Sequence, residues 1–206
     1  MRIPWVNLAI GTLAGLLAAG GLIVFQLTST EPGNRGSIMT GEAAIGGTFS
    51  VVDHTGARFT EADLLGSYSL IYFGFTYCPD ICPTELQVMA TAIDQLESPL
   101  AEQITPIFAT IDPARDTPEV MGDYVALFSE RMIGLTGTAA EIGALAQAYR
   151  VYSARQGDAD DPDYLMDHSS FIYLMDPNGK FVDVFPYGTG ITKLTERLRA
   201  VVGAAS

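Results

Sequence analysis

The stretch YSLIYFGFTYCPDICPTEL, residues 68–86, decides how this chain of 206 residues is read. Its first half, Tyr68–Phe75, is apolar and aromatic, and predicts a buried strand. Its second half holds the only two cysteines, Cys78 and Cys82. Each precedes a proline, and a residue before proline avoids the α region. The spacing therefore predicts a loop from Cys78 to Cys82. Pro83 suits the first position of the next helix, which makes Cys82 its cap. There the unpaired amides and the positive end of the helix dipole would lower a thiol pKa. Paired thiols of low pKa exchange disulfides or bind soft metals. The bland alternative is a buried, inert pair. A bridge between the two would close a tiny loop and remove little unfolded-state entropy, so the pair reads as chemical, not architectural.

Outward from that stretch, the pattern gives a strand–helix order. Thr48–Val52 is β-prone, Asp53-His54-Thr55-Gly56 is a turn signal, and Arg58–Thr60 returns. After the cysteine loop, Thr84–Leu96 carries Leu86, Met89, Ala90, Ile93 and Leu96 at helical spacing. Ile104–Ile111 predicts a second buried strand, Pro118–Phe128 a helix, Ile133–Thr136 a short strand and Ala139–Tyr149 a helix. Ser169–Met175 and Lys180–Phe185 predict a hairpin around Asp176-Pro177-Asn178-Gly179, and Ile191–Val202 a closing helix. Strands alternating with helices, then a hairpin, give an α/β sheet with an antiparallel edge. The thioredoxin-like fold has this order, here with an extra amino-terminal hairpin and an inserted helix.

The formal net charge is −13, from 24 acidic and 11 basic residues. Such a chain repels nucleic acid and anionic headgroups, so no nucleic-acid partner is expected. Ile3 to Leu27 carries no charge, a run of about 25 residues that can span a bilayer as a helix. The expectation is a transmembrane anchor over residues 1–27, with Arg2 and the terminal amine on the cytoplasmic side. A cleaved signal peptide is the rival reading; its apolar core would be shorter. Residues 28–44 read as a linker rich in Thr, Ser, Gly and Pro, and residues 45–206 as the soluble domain. That domain would face the periplasm of a bacterial inner membrane, or the mitochondrial intermembrane space.

Two histidines remain. His54 sits in a tight turn that tolerates His at the surface. His168 lies just before the predicted strand Ser169–Met175. If that strand runs antiparallel beside Tyr68–Phe75, its start meets the other's end, and His168 faces the cysteine loop. Two thiolates and an imidazole would suit copper, soft sulfur favouring Cu(I) while imidazole also serves Cu(II). Structural zinc would want a fourth protein ligand. On spacing alone a satisfied histidine at the sheet edge stands beside the ligand reading. Asp158, Asp160, Asp161 and Asp163 read as a solvated acidic loop, with a docking rim as the functional alternative. Met166 reads as core filler rather than an extra soft ligand.

At these residues the chain resembles the Sco/SenC family of copper proteins that assist cytochrome c oxidase assembly. The resemblance covers about residues 45–202. Its motifs are Gly74-Phe-Thr-Tyr-Cys78-Pro-Asp-Ile-Cys82-Pro-Thr-Glu85-Leu86, Ile111-Asp112-Pro113-Ala-Arg115-Asp116-Thr117-Pro118 and Tyr164-Leu-Met-Asp167-His168-Ser169. The resemblance implies a thioredoxin-like fold tethered to the inner membrane, with Cys78, Cys82 and His168 binding Cu(I) or Cu(II). It implies delivery of copper, or of reducing equivalents, to the dinuclear copper site of cytochrome c oxidase subunit II. The copper donor would be another periplasmic chaperone. Asp167 would orient the histidine from behind, and Asp112, Arg115 and Asp116 would brace the loop. A rim ion pair without a copper role explains those three nearly as well.

Metallochaperone is thus the leading expectation. A thiol–disulfide oxidoreductase acting through Cys78 and Cys82, or a redox or copper sensor, are the alternatives. Only the first needs His168. A peroxiredoxin is disfavoured because Phe75 stands where that chemistry, by analogy, wants threonine. Three residues separate the cysteines, where thioredoxins have two.

Overall fold

The computed structural model describes residues 45–158 and 161–204. The expected anchor (1–27), the linker (28–44) and Asp160 lie outside the described residues. Among the described residues no helix is long and apolar enough to cross a membrane.

The centre of the molecule is the strand Tyr68–Gly74, β3, in which all seven residues are buried. An unbroken buried run is what a strand needs when neighbours cover both of its faces. It pairs in parallel with β4 (Ile104–Thr110) and antiparallel with β8 (Phe171–Met175). β4 pairs in parallel with β5 (Ile133–Thr136), which pairs antiparallel with β1 (Ser50–Asp53); β2 (Arg58–Thr60) closes that edge. β9 (Phe181–Pro186) closes the other, so the order is β2-β1-β5-β4-β3-β8-β9. This is the expected α/β sheet with an amino-terminal hairpin.

The helices are α1 (Ile81–Asp94), a single turn α2 (Ser98–Ala101), α3 (Pro118–Ala126), α4 (Ala139–Ala148) and α5 (Ile191–Gly203). Local chemistry fixes their starts. The Thr117 hydroxyl accepts from the Val120 amide and Pro118 follows at the first position. Thr138 and Glu141 form a reciprocal capping box. α1 packs on β3, β4 and α5, and Leu86, Met89 and Ile93 are buried on it. Each such side chain contributes about 1.5–3 kcal/mol by leaving water. The β8–β9 turn uses Asp176, whose Oδ1 accepts from the Asn178 and Lys180 amides. Gly179 there has φ +73°, a conformation that glycine adopts freely.

Three details depart from the sequence reading. α1 starts at Ile81, with Asp80 at the cap position, so Cys82 lies in its first turn and Pro83 at its third position. Proline is tolerated there because the first four amides of a helix have no intrahelical partner. A short 3-10 turn, Glu61–Leu64, follows β2. A separate antiparallel hairpin, β6 (Ser153–Arg155) and β7 (Met166–His168), stands where the pattern predicts only loop. Its strands are only three residues long and the loop between them is acidic, so no periodicity announces them.

Candidate metal centre

The register of β3 and β8 builds the site. Tyr72 lies opposite Ile172, so the chain running back through Phe171 and Ser170 heads for the carboxyl end of β3. The cysteine loop leaves from that end. Across 86 residues of sequence the Cys82 thiol and His168 Nε2 come within 3.6 Å. Cys78 is half-buried, Cys82 is 0% exposed, and both thiols are free.

Cys82 reaches this position because β3 ends in glycine. A Cβ on Gly74 would stand 2.7 Å from Cys82 Sγ and 3.0 Å from Phe108. Sequence reasoning assigns this glycine no role of its own. A glycine ending an otherwise bulky strand is the available signal for close approach of another group.

The free amides of the first turn of α1 act on Cys78, not on Cys82 as the spacing suggests. The Cys82 amide donates to Cys78 Sγ at 3.4 Å. A hydrogen bond from the Cys82 thiol, helped by His168 and by the Cys82 and Asp80 amides, holds the Cys78 thiol down to about 4 against the effect of burial. The Cys82 thiol, which gives that hydrogen bond and is buried, is pushed far up. A thiol just ahead of a helix meets the free amides; one inside the first turn has its own amide pointing away along the chain.

His168 is held by its surroundings. Its ring meets Tyr72 and Phe75 edge-on, each with centroids 6.1 Å apart. Nδ1 lies 3.1 Å from the Ser169 carbonyl. A carbonyl only accepts, so Nδ1 donates to Ser169, and Nε2 is the ring nitrogen that faces the thiols. Asp167, expected to orient the ring, does not reach it. Side chains alternate along a strand, so Met166 and His168 share one side of β7 and the exposed Asp167 takes the other, accepting from Gln156. Met166 packs against the core and lines the same cleft as Cys78 and His168, of about 380 Å³.

After β4, Asp116 bonds the cysteine loop, whereas Asp112 bonds Arg115 and Tyr164. Asp116 is fully buried and accepts from Thr76 Oγ1 at 2.6 Å and Thr110 Oγ1 at 2.5 Å. Burial pushes its carboxyl up, opposed by those donors. Asp112 accepts from Arg115 Nε at 2.5 Å and from the Tyr164 hydroxyl at 2.6 Å. His54 is structural, its Nδ1 accepting from the Gly134 amide at 3.1 Å.

The donor set can be tested against a metal. First-row metals hold sulfur at about 2.3 Å and imidazole nitrogen at about 2.0 Å, so a sulfur–nitrogen edge of a trigonal set is about 3.7 Å. The observed separation of 3.6 Å fits that edge. As placed, no three His, Cys, Asp or Glu side chains among the described residues stand close enough together to hold a metal ion.

A mixed α/β domain of thioredoxin-like fold, with two thiols and an imidazole converging at the carboxyl end of its central strand, defines a small class of proteins. The chain belongs to the SCO1/SenC family, whose model matches residues 38–203. It is 46% identical over 166 residues to Protein sco1 of Schizosaccharomyces pombe, covering 80% of this chain and 62% of the relative. It is 42% identical over 185 residues to the mitochondrial SCO1 homolog of Homo sapiens, covering 89% of this chain and 62% of the relative. The chain thus spans somewhat under two thirds of these relatives' length. Among solved structures it is similar to yeast Sco1 with copper bound (TM-score 0.73, 41% identity, 78% of this chain and 90% of that one). It is also similar to Arabidopsis thaliana ScoI with copper bound (TM-score 0.70, 42% identity, 79% of this chain and 98% of that one).

Proposed function

We propose that this protein binds one copper ion through Cys78, Cys82 and His168 and hands it on during cytochrome c oxidase assembly. The recipient is the dinuclear copper site of oxidase subunit II, and the donor is another chaperone in the same compartment. Residues 1–27 anchor the domain in the bacterial inner membrane with the copper site in the periplasm, or in the equivalent mitochondrial space. The observation that carries the reading is the 3.6 Å approach of Cys82 Sγ to His168 Nε2. Copper-bound relatives and the family membership support the choice of metal. Thiolate sulfur and imidazole are the donors that serve Cu(I) and Cu(II).

The chain's own residues divide the work. Cys78, half-buried and already a thiolate, is the entry ligand. Cys82, fully buried, must lose its proton as the metal enters. Three protein ligands leave a position open, so an incoming partner thiol can bind before the outgoing one leaves. The test is an anaerobic Cu(I) titration of residues 30–206 against a competing chelator, beside His168→Ala. The expected result is one copper per chain and a loss of roughly tenfold or more in the variant. Equal binding by the variant overturns the ligand assignment.

The asymmetry of the thiols favours one second reading, a reductase for the partner's cysteines. The Cys78 thiolate would attack a partner disulfide and release one partner thiolate. Cys82 would then attack the mixed disulfide, leaving a reduced partner and a Cys78–Cys82 disulfide. That activity survives in His168→Ala, whereas copper delivery does not.

A further inference from the structure

The hairpin that carries His168 is not a strand of the main sheet. β6 and β7 pair only with each other. Beyond the Tyr72 and Phe75 rings that flank the imidazole, the contacts between this hairpin and the cysteine loop converge on Arg115. Its guanidinium carbon lies 3.6 Å from the ring centroid of Tyr164, four residues before His168. It lies 4.7 Å from the centroid of Tyr77, the neighbour of Cys78. Arg155, on β6, stands 3.7 Å from the same Tyr164 centroid. Two guanidiniums at stacking distance from one ring must occupy its opposite faces, so Tyr164 is sandwiched between them.

The sandwich is anchored at both ends. Asp112 holds Arg115 by Nε and accepts from the Tyr164 hydroxyl. Arg155 donates to the carbonyls of Asp158 and Asp161, at 3.2 and 2.6 Å, which fixes it to both of those residues. Tyr77 donates to Asp163 at 2.9 Å, a second tie between the two segments. Arg115 Nη2 is buried without a hydrogen-bond acceptor. Its lost hydration is replaced by aromatic faces, the arrangement in which a cation–π contact is strongest. Asp112 offsets the repulsion between the two cations.

We propose that Arg115 is a positioning residue for the copper ligand His168: the Arg115–Tyr164–Arg155 stack latches the histidine hairpin onto the cysteine loop and sets how closed the metal site stands. This rests on the copper reading above. The stack needs planar guanidinium. Lysine supplies the charge without the plane, so Arg115→Lys behaves like Arg115→Leu rather than like wild type. Tyr164→Phe keeps the stacked ring and loses the bond to Asp112, so its copper affinity falls less than that of Tyr164→Leu.

The test has two arms. In the first, Cu(I) affinity is measured for wild type, Arg115→Leu, His168→Ala and the double variant. Positioning through His168 predicts a fall of roughly tenfold for Arg115→Leu in the wild-type background and none in the His168→Ala background. An equal loss in both backgrounds, or no loss in either, overturns the proposal. In the second, amide exchange is followed in the metal-free protein. Arg115→Leu should speed exchange at Gln156 and Ser169 by at least roughly tenfold, while β3 and β4 amides stay unchanged. Unchanged hairpin exchange overturns the latch. Tyr164→Leu, at a half-exposed position, should repeat both patterns and serves if Arg115→Leu does not fold. Failure of the copper reading shows separately, as wild-type protein that binds no copper, and the exchange arm still decides the latch.

Discussion

Gly74 and Cys82 are in contact in a way that forbids a side chain on the first: a Cβ at Gly74 would sit 2.7 Å from Cys82 Sγ. The strand end and the buried ligand thus share one space. Gly74→Ala must push the sulfur or the Phe108 ring, which stands 3.0 Å away. Overpacking of this kind costs about 1–3 kcal/mol. Urea unfolding should show that loss, and the copper titration a weaker site. An alanine variant of wild-type stability and affinity would mean that the sulfur has slack.

The two thiols should differ sharply in reactivity. Cys78 is half-buried with its thiol held down to about 4, while Cys82 is buried and its thiol is pushed up. Alkylation of metal-free protein at pH 6, read by peptide mass spectrometry, should label Cys78 first. Cys82 should lag by about a hundredfold or more, since only the thiolate reacts. Its rate should rise when Cys78 is replaced by Ala, because the hydrogen bond that fixes its proton is then gone. Equal labelling of both would place the proton elsewhere.

Legibility in the sequence follows physical cause. β3 is readable because seven buried positions leave no alternation, and α3 and α4 because both are bounded runs between strands; their caps, Thr117 and Thr138, are seen in the structure. The meeting of Cys82 and His168 is readable because one antiparallel pairing, β3 with β8, brings their segments to the same sheet end. The start of α1 is not, since proline signals a first turn without fixing which position in it. The hairpin β6–β7 leaves no trace in the pattern: it is held by guanidinium–ring stacking and by single bonds to residues far away in sequence, and neither has a local period. Tyr164 and Arg155 are inconspicuous for the same reason, whereas Arg115 stands out only through its motif.

Thr76 and Asp116 give a stability prediction. The Thr76 hydroxyl donates to the buried Asp116 carboxylate at 2.6 Å, and the Thr76 amide donates to its other oxygen at 3.2 Å. Thr76→Val keeps the shape and the amide but removes the hydroxyl. A buried acceptor that loses a donor costs about 1–3 kcal/mol. Thermal or urea unfolding should register that loss, and Thr76→Ser should recover most of it. If valine is as stable as threonine, Asp116 is satisfied without the loop.

Glu85 supplies the pH dependence. It sits on α1 one turn after Cys82, is 1% exposed, and accepts from the Gly188 amide at 3.3 Å; its second carboxylate oxygen is buried without a partner. Burial raises its pKa above the ordinary 4.5, opposed only by the Gly188 amide. A carboxyl whose folded pKa is raised binds its proton more tightly in the native state than in the unfolded chain. Its contribution is therefore most favourable below pH 4.5, and declines as pH rises through the folded value. Glu85→Gln removes that titration while keeping the shape. The stability of wild type relative to Glu85→Gln should consequently be better at about pH 4.5 than at about pH 7.5, in urea unfolding of the metal-free protein at both values. A difference that does not move between the two pH values would show that Glu85 folds with an ordinary carboxylate.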